Sequence, residues 1–292
     1  MKVKKNTYLK VKKKYLNFIN KQEVLGKPFF DKIGQLKNFY LPICQSIYSD
    51  YNSSNNTILV GLSGGQGSGK TTIAKILKII LKQKYNLEVV CFSIDDFYKT
   101  LDKRKKKSKK NHPLFLTRGV PGTHDVLLLK KSLTNLKKKS FKSFFIPRFD
   151  KSTDDRYPRS KWVKIRKKPD IVIFEGWCVG AKHQKDKQLK KPINKLEKKL
   201  DMKLKWRKQV NNELKSSYKE IFNLINKLIF LQVPSFNYVY KWRLLQEKKL
   251  KLKKFGNKIM TKDQIKNFIM FYERITKQMI KDLNLKANIV VK

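Results

Sequence analysis

Acidic residues are scarce in this chain, which carries 22 Asp and Glu against 70 Lys and Arg and has a formal net charge of +48. Such a surplus is one reason to consider a nucleic-acid or anionic-membrane partner, bound through counterion release. The alternative is a lysine-rich composition spread over every surface. The lysines are distributed along the whole chain, and no pattern of interleaved aromatic and basic residues indicates RNA or DNA binding. Nucleic acid is therefore not the partner that the sequence favours.

Cysteine is also rare, and Cys44, Cys91 and Cys178 lie far apart without the spacing of metal ligands. This pattern excludes a disulfide scaffold and a cysteine-based metal site, and it is typical of a reducing compartment. No apolar run reaches the ~18 residues that a membrane span needs. The basic N-terminus lacks the unbroken apolar stretch of an export signal, so the expected location is the cytoplasm.

Hydrophobic residues, by contrast, make up 40% of the 292 positions, which is enough for a large core. From Thr57 onward, β-prone runs alternate with helical patterns. This alternation predicts an α/β fold with a mostly parallel sheet of about five strands flanked by helices. The candidate strands are Ile58–Ser63, Glu88–Ile94, Phe144–Phe149, Asp170–Phe174, Leu228–Val233 and Asn288–Val291.

Apolar residues at helical spacing predict the helices between these strands. The predicted helices are Lys70–Lys84, His124–Lys138, Trp206–Asn226, Ser235–Lys254 and a last one that Thr261 and Gln264 begin with a capping box. Residues 1–56 are predicted to form a helical extension of one or two helices that ends in a polar linker, Asp50–Asn56. Residues 57–292 would form the α/β domain, with a Lys-rich insertion near 181–205. Lys103–Lys110 holds seven basic residues out of eight and is predicted to be a mobile loop.

A complete GxxxxGK[ST] motif follows the first predicted strand and leads into a helix. Successive backbone N–H groups of such a phosphate-binding loop (P-loop) surround phosphate oxygens, and the helix N-terminus adds its positive dipole end. The lysine reaches the β- and γ-phosphates, and the hydroxyl that follows it is a ligand for Mg²⁺. The sequence therefore predicts binding of ATP and Mg²⁺. The residues predicted to bind the nucleotide are Gly64, Gly65, Gln66, Gly67, Ser68, Gly69, Lys70, Thr71 and Thr72.

Carboxylates follow two other predicted strands, at the sheet edge where open α/β sheets bind ligands. Glu175 follows Asp170–Phe174 and is predicted, with Thr71, to hold the metal. Asp95 is predicted to be the base for an acceptor hydroxyl, and Asp96 and Tyr98 to contact the substrate. The alternative for the Asp pair is a helix cap or turn.

Basic residues near the other strand ends would neutralise phosphate and substrate charge. Arg118, His124 and Asp125 belong to a rigid Pro-Gly turn and are predicted to be free to face a substrate, although His124 fits a satisfied turn histidine equally well. Arg148 follows a predicted strand and suits a carboxylate or phosphate. Arg243 is predicted to close over the triphosphate and to act in catalysis together with Lys70.

These segments together resemble the D-glycerate 3-kinase family, which belongs with the uridine kinase, phosphoribulokinase and pantothenate kinase group of P-loop kinases. The resemblance covers roughly residues 57–292 and depends on GLSGGQGSGKTT, SIDDFY, RGVPGTHD, PRFDKS and VIFEGWCVG. The match continues through PINKLE, WRKQVN, WRLLQE and MTKDQIKNFIMFYERIT. It implies the reaction of ATP with D-glycerate to give ADP and 3-phosphoglycerate. By similarity, Asp95 matches the base and Glu175 the acid of the metal site. The family's Gly-Asp-Arg segment is changed here to Asp154-Asp155-Arg156.

Two other functions remain open from the sequence. One is a kinase of the same group with another acceptor, such as a nucleoside or pantothenate. The other is an ATPase that binds nucleic acid, as the charge suggests. A small acidic substrate is favoured because the candidate contacts include arginines. The sequence does not indicate the oligomeric state.

Overall fold

A computed structural model describes residues 2–23, 28–253 and 260–292. Its centre is a five-stranded sheet in the order β2-β7-β1-β8-β9, and each neighbouring pair is parallel. The carboxyl ends of all five strands therefore lie at one edge of the sheet. The strands are β1 Ile58–Gly64, β2 Val89–Ser93, β3 Phe144–Ile146, β4 Phe149–Asp150, β5 Asp155–Arg156, β6 Val163–Ile165, β7 Ile171–Gly176, β8 Lys227–Leu231 and β9 Ile289–Val291.

Helices cover both faces of the sheet, as the α/β prediction requires. The helices are α1 Lys2–Asn20, α2 Lys32–Gln35, α3 Leu41–Ser54, α4 Lys70–Tyr85, α5 Leu101–Lys110, α6 Val126–Lys137, α7 Asp186–Lys190, α8 Lys195–Leu200, α9 Lys205–Lys215, α10 Ser217–Phe222, α11 Phe236–Lys253 and α12 Lys262–Lys286. Short 3₁₀ turns span Ile94–Phe97, Pro113–Leu116 and Arg159–Lys161, and a π turn spans Leu36–Tyr40. Among the described residues, no helix is both long and apolar enough to cross a membrane.

The alternation of side chains along the strands produces two hydrophobic clusters, one on each face. In β7, Val172 and Phe174 face the cluster under α6, α9 and α10, while Ile171 and Ile173 face the cluster under α4. Helices α1 and α3 pack into the second cluster. Its α1 and α3 residues are Val11, Tyr15, Ile19, Ile43, Cys44 and Ile47, all nearly inaccessible to solvent.

The α/β fold with five parallel strands is confirmed, but the prediction for Phe144–Phe149 is wrong. This segment lies outside the parallel sheet and contributes β3 and β4, which pair antiparallel with β6 and β5. Pro147 separates the two short strands and has no N–H to donate to a continuous ladder. The consequence is that Arg148 lies between two small hairpins and not at the end of a sheet strand.

The prediction of a mobile loop at Lys103–Lys110 is also wrong, because these residues form most of α5. Thr100 begins the helix, and its side chain accepts a hydrogen bond from the Lys103 N–H. Lysines in the last turn complement the helix dipole. Arg104 is buried and its side chain is 1% exposed, so the segment packs through an arginine.

Two helix boundaries also differ from those predicted. Trp206–Asn226 forms two helices, because Ser216 leaves the helical conformation at φ −110° and ψ −101°, with its hydroxyl bonded to the Asn212 carbonyl. The linker predicted at Asp50–Asn56 is mostly helical, since α3 continues to Ser54. Residues 1, 24–27 and Lys254 belong to predicted segments and lie outside the described residues.

Candidate active site

The P-loop connects β1 to α4 at the carboxyl edge of the sheet. Gly67 and Gly69 both have φ of +84°, a conformation that side chains with a Cβ rarely adopt. A Cβ at Gly67 would lie 2.5 Å from the Cβ of Trp242 on α11, so this glycine also allows α11 to approach the loop. Lys70 Nζ donates to the Gly65 carbonyl at 2.8 Å, which holds the ammonium over the loop. Desolvation lowers the pKa of Lys70, and the nearby carboxylates of Glu175 and Asp95 oppose this effect.

The candidate metal ligands meet directly beneath the loop. Thr71, in the first turn of α4, donates its hydroxyl to Glu175 Oε1 at 2.8 Å. Strands β1 and β7 are neighbours in register, with Ser63 opposite Gly176, which brings the two residues together. Burial raises the pKa of Glu175, while the Lys70 ammonium acts in the opposite direction.

Asp95 lies in the 3₁₀ turn that follows β2. One carboxylate oxygen accepts from the Lys151 ammonium at 2.8 Å, and the other accepts from the Tyr98 hydroxyl at 2.9 Å. Desolvation alone would raise the pKa of Asp95, but the charge and hydrogen bond of Lys151 outweigh it and lower this pKa to about 2. Asp95 is therefore a carboxylate at any physiological pH.

For Asp96, the sequence left open a contact with the substrate or a role as a helix cap, and the structure is compatible with both. Its side chain accepts from the Ser93 N–H at 3.1 Å and completes a capping box, yet the residue also lines the cavity. Burial, with the negative charges of Asp95 and Glu175 nearby, raises the pKa of Asp96 to about 6.

A cavity of about 570 Å³ joins these groups. Its walls include Phe268 and Tyr272 of α12 and Gln246 of α11. The predicted residues that line it are Gln66, Gly67, Lys70, Thr71, Asp95, Asp96, Tyr98, Arg118, Arg148, Glu175 and Arg243. The structure thus brings most of the predicted site residues into one space.

The cations of the cavity are held in different ways. The Arg118 guanidinium contacts the Asp154 carboxylate. Arg148 lies between the hairpins, with its guanidinium 6.0 Å from the centroid of the Tyr157 ring. Arg243 is paired with Glu247 one turn further along α11.

His124 and Asp125 are not free to face a substrate, so this part of the prediction is wrong. His124 is fully buried, stacks on the Tyr98 ring with centroids 4.5 Å apart, and its Nδ1 lies 2.6 Å from the Tyr218 hydroxyl. Burial lowers the pKa of His124 to about 3, so the ring is neutral. Asp125 caps α6 by accepting from the Leu128 N–H at 3.3 Å. His124 packs against Tyr98, a cavity residue, on the side away from the cavity, and Asp125 holds the start of α6.

Sequence reasoning missed Lys151 as a site residue. It follows Arg148 by three positions, and its ammonium reaches Asp95 because the β4–β5 hairpin folds back over the 3₁₀ turn. The one sequence feature that could have indicated Lys151 as a site residue is its position close to Arg148. The sequence did not show that this segment leaves the main sheet.

The loop, the Thr71–Glu175 contact and a second carboxylate facing them define an ATP-dependent kinase of the P-loop type. Residues 59–209, just over half of the chain, match the phosphoribulokinase/uridine kinase family. The chain belongs to this family.

Three individual proteins show which members of this family the chain is similar to. An uncharacterized kinase of Schizosaccharomyces pombe, mug58, is 38% identical over 222 residues, which are 73% of this chain and 78% of the relative. The chloroplastic D-glycerate 3-kinase of Arabidopsis thaliana is 27% identical over 255 residues, covering 82% of this chain and 53% of that protein. The structure of a D-glycerate 3-kinase from Cryptococcus neoformans matches with a TM-score of 0.69 at 26% identity, over 82% of this chain and 87% of that one. The resemblance to D-glycerate 3-kinases predicted from the motifs is confirmed.

Proposed function

We propose that this kinase transfers the γ-phosphoryl group of ATP to the 3-hydroxyl of D-glycerate and forms 3-phosphoglycerate. The similarity to two D-glycerate 3-kinases supports this acceptor. The observation that carries the proposal is the joint placement of Asp95 and three cations, Arg118, Arg148 and Lys151, in the cavity that the P-loop opens into. A small acceptor with one carboxylate and a hydroxyl group that receives the phosphoryl group matches this set of groups.

At the nucleotide end, the loop N–H groups and Lys70 would bind the phosphates, and Arg243 would approach from α11. The residues Gln66 and Ser68 are half-buried, but their side-chain polar atoms are inaccessible to solvent, and within the described part of the chain no hydrogen-bond partner satisfies them. Buried polar groups without partners are costly, so these atoms fit a site that accommodates a polar ligand.

The residues present also fit Mg²⁺. Among the described residues, no group of three or more His, Cys, Asp or Glu side chains is arranged around a metal position. Mg²⁺ in kinases needs no such cage, because one or two protein oxygens and the substrate phosphates suffice. The Thr71 hydroxyl and the Glu175 carboxylate are oxygen donors of this kind, 2.8 Å apart. When bound, the ion would neutralise charge on the phosphates.

At the acceptor end, Asp95 would orient the hydroxyl and accept its proton. A pKa of about 2 makes Asp95 a weak base while Lys151 is paired with it. The Lys151 side chain is 62% exposed, so its ammonium can turn toward a transferring phosphoryl group. That movement removes the cation from Asp95 and raises the pKa of Asp95 when a base is needed. Arg118 and Arg148 would bind the carboxylate of the acceptor.

The first experiment measures ADP release with Mg·ATP and a panel of acceptors: D-glycerate, L-glycerate, uridine, pantothenate and RNA. Phosphorus NMR identifies the product. We expect strong stimulation by D-glycerate alone and the signal of 3-phosphoglycerate. Stimulation by uridine or pantothenate would contradict D-glycerate as the acceptor and assign another acceptor within the same kinase family. Stimulation by RNA would overturn the proposal and give the +48 charge a direct role.

A second test addresses the nucleotide end. Lys70→Ala should weaken ATP binding and reduce turnover together, since Lys70 contacts the phosphates both in bound ATP and in the transition state. A fully active variant would contradict the assignment of the loop.

A further inference from the structure

The turn of the β4–β5 hairpin contains a residue in an unusual backbone conformation. Asp154 has φ of +58°, in the left-handed region that only glycine enters without strain. Asp tolerates this region better than most residues, but glycine would suit the backbone better. The geometry of the turn therefore does not explain why a carboxylate side chain is present at position 154.

Both oxygens of this side chain contact arginines from different segments. Oδ1 contacts Arg118, which lines the cavity, and Oδ2 accepts from Arg104 of α5 at 3.1 Å. The two guanidinium groups also lie over the same ring, that of Phe149, at 5.5 Å for Arg118 and 5.9 Å for Arg104. Two cations this close repel each other, and a negative charge in contact with both offsets the repulsion.

Arg104 is a fixed anchor in this arrangement. Its side chain is 1% exposed, and it donates to the carbonyl groups of Lys99 at 3.2 Å and Leu116 at 2.7 Å. Its remaining nitrogen donates to the Asp154 carbonyl. Arg104 thus fixes the position of Asp154, and Leu116 lies two residues before Arg118.

We propose that Asp154 is a positioning residue that holds the Arg118 guanidinium in the cavity by sharing one carboxylate between Arg118 and the buried Arg104. Without this carboxylate, Arg118 loses its ion pair and is repelled by Arg104. Since Arg118 is 25% exposed, it can then leave its position over Phe149. The proposal rests on the proposed function only in assigning Arg118 to the carboxylate of the acceptor.

Two substitutions remove the charge with residues that the backbone conformation at this position accepts. Asp154→Gly relieves the strain at φ +58°, and Asp154→Asn keeps the shape in a conformation that Asn also tolerates. Asp150→Asn is the matched control, because it removes the same charge from the same hairpin and its side chain accepts from the Ser152 N–H at 2.8 Å.

The first readout does not depend on the acceptor. Phenylglyoxal modifies unpaired arginines faster than ion-paired ones, and peptide mass spectrometry gives the rate at Arg118. We expect this rate to rise several-fold in Asp154→Gly and Asp154→Asn relative to the wild type and Asp150→Asn. An unchanged rate at Arg118 would overturn the proposal, whether or not the protein phosphorylates glycerate.

The second readout is steady-state kinetics with D-glycerate. We expect both Asp154 variants to raise KM for D-glycerate on the order of tenfold, with KM for ATP unchanged. An equal loss for both substrates would indicate general disruption and would also overturn the proposal. If the wild type ignores D-glycerate, the proposed function fails, and the phenylglyoxal rates still decide whether Asp154 positions Arg118.

Discussion

Three carboxylates line the cavity, and their neighbours give them different pKa values. Lys151 keeps the pKa of Asp95 at about 2, while burial beside other carboxylates raises the pKa of Asp96 to about 6 and also raises that of Glu175. Asp95 is therefore ionised at the acceptor end while Lys151 is paired with it. A pair of adjacent Asp residues in the sequence thus contains two chemically different groups, and Lys151 accounts for much of the difference.

Replacing Asp95 tests its role at the acceptor. Asp95→Asn should lower the rate of phosphorylation by two or more orders of magnitude, the usual scale for a lost general base. ATP affinity should stay nearly unchanged, because the P-loop remains intact. Coupled assays of ADP release and calorimetric titration with ATP measure the two quantities. Asp150→Asn is a control of equal charge, and near-normal turnover in Asp95→Asn would contradict the assignment.

His124 predicts a pH dependence of stability. Its pKa is about 3 in the folded state and 6.5 for the free side chain, so the unfolded state takes up a proton first as the pH falls. The contribution of His124 to stability is complete above pH 6.5 and is lost progressively toward pH 3. At 1.36 kcal/mol per pH unit, about 2 kcal/mol should disappear between pH 6.5 and pH 5.

Urea unfolding of the wild type and His124→Gln at several pH values measures this effect. The difference in free energy of unfolding should shrink by about 2 kcal/mol from pH 6.5 to pH 5, because Gln does not titrate. Parallel pH profiles for the two proteins would show that His124 titrates normally.

At the scale of elements, α5 shows how a strongly basic segment becomes ordered. Lys106 pairs with Asp102 at 3.0 Å within the helix, and Lys107 pairs with Glu213 of α9 at 2.7 Å. The exposed Lys106–Asp102 pair contributes little, whereas Lys107 and Glu213 are 13% and 23% exposed. The fully buried Arg104 is the main fixed point of the helix. Its acceptors lie outside the helix, on Lys99, Leu116 and the distant Asp154, and for this reason the composition of α5 alone predicted a loop.

Removing this anchor should destabilise the protein. Arg104→Met leaves the Lys99 and Leu116 carbonyls without their donor, and we expect a loss on the order of 3 kcal/mol in the free energy of unfolding. Lys105→Met, at an exposed position of the same helix, should change it by about 0.5 kcal/mol or less. Denaturant titration compares the two variants. Equal changes in the free energy of unfolding for the two variants would show that Arg104 does not stabilise α5.

At the scale of the whole molecule, the N-terminal helices share a core with the sheet. Six residues of α1 and α3 are buried in the cluster that contains Ile171 and Ile173. The β8 residue Lys227 is also buried and forms an ion pair with Asp50 of α3 at 2.9 Å. A boundary at residue 56 was predicted from the sequence, and it stays a prediction that deletion tests.

A chain beginning at residue 57 should fail to fold. Each large apolar side chain buried in this cluster contributes about 1.5–3 kcal/mol, so losing the five large ones of α1 and α3 removes a free energy comparable to the 5–15 kcal/mol that stabilises a whole domain. Soluble yield and the thermal transition by circular dichroism measure the outcome. Deleting only residues 1–6 serves as the control. A cooperative transition in the shorter chain would show that residues 57–292 form an independent domain.

The sequence by itself determined the P-loop, the parallel sheet and the carboxylates at the strand ends, because each depends on local pattern or on strand direction. The capping box at Thr261 and Gln264 is likewise local and is present. Tertiary structure alone decided which side chains face the cavity. His124 is buried against Tyr98 and Tyr218 and does not face the cavity. Lys151 reaches Asp95 because β4 and β5 form a separate hairpin. Arg104 and Asp154 are 50 positions apart, and contacts of this kind depend on packing and leave no periodic pattern in the sequence.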